Sequence, residues 1–169
     1  MYTARYLGAE GFGILSFALA FTGLFAALAD VGLQNLIVRE VARDKSLAGK
    51  FIGNVVAIKI VLVTFTFGLI VLIVNILGYP ETTAKVVYLV ALSVVFNAFS
   101  GVFFSIFRAF ENMEYESGGQ ILHAVLLLAC GLLAISWELA VTAFAFIYFI
   151  LSVINVGYAL GICAWKFIK

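Results

Sequence analysis

Residues 51–77 read FIGNVVAIKIVLVTFTFGLIVLIVNIL, 27 residues interrupted by one charge, Lys59. A helix needs about 20 apolar residues at 1.5 Å rise to cross about 30 Å of hydrocarbon. This stretch is therefore long enough to span a bilayer. Working outward from it, charge-free pieces of membrane size recur at Gly11–Ala29, Val86–Phe107, Ser117–Trp137 and Leu139–Trp165. None shows the period-two alternation of a barrel strand. The pattern predicts an all-α integral membrane protein with five transmembrane helices, at about 11–38, 51–77, 86–108, 118–136 and 139–165.

Composition supports that solvent. Of the 169 residues, 65% are hydrophobic and 11% charged, with a mean hydropathy of +1.19. A soluble domain has about 45–50% apolar and about 25% charged residues, so too few charges exist here to coat a water-facing surface. A net charge of +1 supplies no basic field for a nucleic-acid partner. Cys130 and Cys163 lie within apolar runs without a CxxC or a His/Cys cluster, which reads as packing and not as a disulfide or metal site.

Lys and Arg set the orientation. With Met1 outside, the inner side collects Arg39, Arg43, Lys45, Lys50, Arg108, Lys166 and Lys169, and the outer side only Arg5 and Lys85. That is a positive-inside bias, placing the N-terminus outside and the C-terminus in the cytoplasm. Met1–Glu10 holds one Arg and one Glu, so it lacks the basic n-region of a signal peptide. The expectation is instead that Tyr2–Ala9 is the outer end of a preceding helix, turning through Gly8–Gly13, and that the chain is a fragment.

Asp30 and Lys59 are charges within spans, where each is costly unless paired or facing a cavity. They stand equally far from the centre of the basic turn near positions 44–45, as do Asn35 and Asn54, and Arg39 and Lys50. In an antiparallel hairpin equal distance means equal depth, which predicts an Asp30–Lys59 pair with an Asn35–Asn54 pair below it. Two readings stay open for the ion pair: a lock on helix register, or groups meeting a charged substrate or a proton.

Ser93, Asn97, Gly101, Ser105 and Ala109 recur every four residues, a seam suited to close helix approach or, at Asn97 and Ser105, a cavity lining. Gly157 and Gly161 give a second seam. Residues 39–50 alternate in charge and predict a short interfacial helix near anionic headgroups. Glu111, Glu114 and Glu116 read as a solvated loop, His123 as a lone packing residue. Tyr79, Tyr88, Trp137 and Trp165 read as interface anchors. The sequence contains no metal-ligand set, nucleophile triad, phosphate-binding Gly loop or paired catalytic carboxylates, so neither an enzyme nor a cofactor is expected.

Arg5–Gly13 (RYLGAEGFG), and Asp30–Leu33 (DVGL) running into Arg39–Lys45 (REVARDK), resemble the start of prokaryotic polysaccharide flippases. These form the O-antigen and exopolysaccharide branch of the multidrug/oligosaccharidyl-lipid/polysaccharide exporter superfamily. The likeness is best over Ala4–Lys59. It implies a two-lobed transporter of 12 to 14 helices, of which these spans are helices two to six of the N-terminal lobe. It also implies translocation of lipid-linked oligosaccharide across the cytoplasmic membrane by alternating access. The expected partners are membrane lipids, the lipid-linked glycan, the missing C-terminal lobe and glycan-assembly enzymes.

On that basis Lys59 is the candidate attractor of the cargo phosphate, Asp30 its tuner or a proton carrier, and Asn35, Asn54 and Asn97 the candidate sugar contacts. Rival readings are a cation-coupled multidrug exporter, whose cavity should prefer unpaired carboxylates, and a non-transporting subunit of a glycan-assembly complex.

Overall fold

A computed structural model describes residues 2–30, 32–45 and 48–167, with side chains placed at 5–30, 32–45, 49 and 53–166. Every described element is a helix: α1 (Tyr2–Asp30, broken at Gly8), α2 (Leu33–Arg43), α3 (Ala48–Leu77), α4 (Glu81–Ala109), α5 (Met113–Ser136) and α6 (Val141–Ile162). A π-helical turn, Cys163–Phe167, continues α6. Five stretches are long and apolar enough to cross a membrane, α1 and α2 together forming the first.

That first stretch is not one straight span. Gly32 caps α2 in the left-handed region (φ 72°, ψ 9°), where a side chain is disfavoured, and it separates α1 from α2. Residues 39–43 belong to the end of α2 and Asp44 is extended, so the charged segment 39–50 is not one continuous helix. Residues 46 and 47 of that expected helix lie outside the described residues, as do the side chains of Lys50 and Lys169.

Short turns join the other helices. The α3–α4 turn pairs Gly78 at φ 63° with Pro80 at the α4 N-cap. A left-handed glycine with a following proline is a standard way to end one helix and begin another. Gly78 is exposed and a Cβ there meets nothing within 4 Å, so Gly78→Ala isolates the backbone strain. It is expected to cost about 1–2 kcal/mol, read as a lowered unfolding midpoint.

Helix α4 packs against all five other helices. Two buried clusters surround it. One lies toward the α3–α4 and α5–α6 turns, around Val87, Val90 and Ala145, and the other toward the α2–α3 and α4–α5 turns, around Val41, Ile106 and Phe107. Lipid tails are as apolar as these side chains, so close packing and polar pairing hold such a bundle more than water exclusion does. Buried hydroxyls are satisfied within their own helices: Thr22 donates to the Ala18 carbonyl, Ser93 to that of Val90 and Ser105 to that of Gly101, all at 2.7 Å.

The α4 seam is used at Gly101, where α2 approaches closely, and Ser93 and Ser105 are buried, but Asn97 is exposed. The α6 seam is not used within this bundle. Gly157 and Gly161 are exposed, with nothing near a Cβ built on either. Gly119 of α5 is closely packed: a Cβ there would meet the rings of Phe104 and Tyr158 at 3.0 Å. Trp137 and Trp165 stand exposed at opposite ends. Tyr79, by contrast, packs on Phe17, and Tyr88 accepts a hydrogen bond from Asn75 at 3.2 Å.

Candidate functional site: a polar line across five helices

Antiparallel packing of α1 and α3 brings Asp30 and Lys59 together. Lys59 Nζ lies 2.7 Å from Asp30 Oδ1, with the lysine wholly buried and the aspartate side chain 32% exposed. Lys59 stands 18 residues from Leu77 and 11 from Ala48, about 27 Å and 17 Å along the axis. The pair therefore occupies the half of the bundle nearer the basic turn. An ammonium with no exposure is tolerable only because a carboxylate faces it.

Asp30 does not serve Lys59 alone. The same Oδ1 accepts a hydrogen bond from Gln34 Nε2 at 3.1 Å, across the break at Gly32. Gln34 Oε1 in turn accepts from Arg108 Nη2 at 2.9 Å, near the end of α4. Arg108 Nε lies 3.2 Å from Glu116 Oε2 on α5. That contact is an ion pair by distance, although the N–H is not aimed well enough to count as a hydrogen bond. Ser105 accepts a long bond, 3.5 Å, from Arg108 Nη2. The result is a line Lys59–Asp30–Gln34–Arg108–Glu116 that touches α3, α1, α2, α4 and α5 in turn, with alternating charge around a neutral amide.

The other residues singled out from the sequence fall elsewhere. Asn35 and Asn54 are both exposed and no hydrogen bond joins them, so no asparagine pair lies beneath the ion pair. Lys59 presents nothing outward: the partly exposed charged groups of the line belong to Asp30, Arg108 and Glu116. Glu116 is not in a solvated loop but in the first turn of α5, 18% exposed, whereas Glu111 and Glu114 are exposed. Arg39 pairs with its neighbour Glu40, and Lys45 lies over the Phe110 ring. Arg43 is exposed. His123 is half-buried, with Nε2 shielded and unpartnered.

Gln34, Arg108 and Glu116 were not legible as one site. Arg108 counts in sequence only toward orientation, and the 74 positions between it and Gln34 carry no common motif. Two clefts, of about 550 Å³ beside Tyr6, Glu10 and Glu138 and about 310 Å³ between α1, α5 and α6, do not include the polar line. Among the described residues no group of His, Cys, Asp and Glu is arranged to hold a metal ion.

The whole chain, residues 1–169, matches the family described as polysaccharide biosynthesis protein. The chain belongs to that family. No curated protein and no solved structure matches it. For a polysaccharide biosynthesis protein built of membrane helices, the work is polysaccharide synthesis or export at a membrane. Within this polysaccharide biosynthesis protein, the polar line draws one residue from each of the five helices that it joins.

Proposed function

We propose that this chain forms helices two to six of a flippase that moves lipid-linked oligosaccharide or polysaccharide precursors across the cytoplasmic membrane by alternating access. A second lobe of the same protein completes the cavity. The observation that carries the reading is the buried Lys59–Asp30 pair and the line extending from it. Charge buried in hydrocarbon serves either to lock helix register or to line a polar path, and a phosphate-bearing headgroup needs the second. In this reading the end with Arg39, Arg43, Lys45, Lys50, Arg108 and Lys166 faces the cytoplasm and Met1 lies outside. Lys59 positions Asp30 and does not touch cargo; exposed Asn35, Asn54 and Asn97 are available to sugar hydroxyls.

The test is deletion of the gene, with lipid-linked precursor and surface polysaccharide both measured. The expected result is loss of surface polysaccharide, precursor held on the cytoplasmic leaflet, and unchanged sensitivity to cationic drugs. Surface polysaccharide at the parental level with new drug sensitivity contradicts the proposal and favours the multidrug exporter. Precursor that still reaches the outer leaflet without this protein favours a subunit of the assembly complex.

A further inference from the structure

We infer that Gln34 is a latch that holds α2 against α4, and that Gly32 is the hinge about which α2 lifts when the latch opens. Three independent features meet at this point. The hinge is the left-handed Gly32, the one place among the described residues where the first membrane stretch departs from a continuous helix between Gly8 and Asp44. The latch is a single side chain two residues later, donating across the hinge to Asp30 at 3.1 Å and accepting from Arg108 on α4 at 2.9 Å. The keeper is Gly101 of α4, where a Cβ would stand 2.5 Å from Gln34 Nε2, so the amide occupies the space that a larger residue would fill.

The rest of α2 is amphipathic in a way that suits a moving arm. Ile37 and Val41 are buried toward α4, while Asn35, Leu36 and Arg39 face outward. Against lipid, the apolar side gains little by staying docked, since hydrocarbon offers Ile37 and Val41 an equivalent surround. The polar side decides instead. A carboxamide that bridges two helices has no substitute partner in hydrocarbon, so its two hydrogen bonds hold α2 shut. Gln34 also shares Asp30 Oδ1 with Lys59, so any event that moves Asp30 reaches α2 through the same atom. Gln34 is thus a positioning residue, acting on α2 and not on cargo.

The experiment measures alkylation by N-ethylmaleimide, small and apolar enough to enter hydrocarbon as well as water, in the full chain in lipid nanodiscs, with a thiol placed at Val41→Cys on the buried face of α2 near its extended end at Asp44. A second reporter at Val87→Cys lies in the other buried cluster, and the chain with its native cysteines alone sets the background. Adding Gln34→Leu is expected to raise the rate at Val41→Cys at least tenfold and to leave Val87→Cys unchanged. Gln34→Met, which keeps the length of the side chain and removes both hydrogen bonds, is expected to do the same, and it carries the test if Gln34→Leu does not fold. An unchanged rate at Val41→Cys in the folded variants, or an equal rise at Val87→Cys, overturns the latch.

Discussion

Asp30→Ala is expected to destabilise the bundle by about 3–5 kcal/mol, the range for breaking a buried ion pair from one side. The reason is the asymmetry of the pair. Lys59 has no exposure at all, whereas the Asp30 side chain keeps 32%. Removing the carboxylate strands an ammonium where neither water nor another carboxylate reaches it, and Gln34 loses its acceptor as well. Lys59→Met is the milder change, about 1–3 kcal/mol, because Asp30 retains Gln34 and partial exposure to share its charge. The double replacement Asp30→Leu with Lys59→Met is expected to recover most of the loss, since an apolar pair of similar volume has no desolvation cost. Unfolding midpoints of the four proteins in mixed micelles check the order. A Lys59→Met variant weaker than Asp30→Ala contradicts the asymmetry.

Phe107→Ala is the second large effect. Phe107 is fully buried on α4 and sets its ring against Phe104 and Tyr115 at 5.9 and 6.0 Å between centroids. Truncations of this kind cost about 3–5 kcal/mol in soluble cores, from lost transfer energy plus a cavity. In lipid the transfer part shrinks while the cavity part remains, so the low end, about 3 kcal/mol, is expected. The same measurement on Leu24→Ala, 75% exposed on α1, supplies the contrast: less than about 0.5 kcal/mol. Equal losses at the two positions contradict the central place of α4.

The number of membrane-length stretches and the Asp30–Lys59 contact are both readable from the sequence, for simple physical reasons. Membrane thickness fixes helix length, and a tight hairpin equates distance from the turn with depth. The same rule failed for Asn35 and Asn54 because depth says nothing about facing. Between Asp30 and Asn35 the left-handed Gly32 resets the helical phase, so α2 turns Ile37 and Val41 inward and leaves Asn35 outside. Gln34 escaped notice because its partners lie on other helices, and which helices adjoin is a property of packing that spacing does not encode. Glu116 reads as a loop residue in the sequence because α5 begins three residues before it, earlier than the charge-free stretch suggests.

A protection assay on the complete protein in proteoliposomes loaded with fluorescent lipid-linked oligosaccharide asks whether the polar line serves translocation. The glycan on one leaflet is quenched or cleaved from outside, and its replenishment from the other leaflet is followed in time. The prediction is replenishment with the unaltered protein and none above protein-free vesicles with the folded Asp30→Leu, Lys59→Met double variant. Replenishment by the double variant at the unaltered rate, or none by either protein, would contradict it.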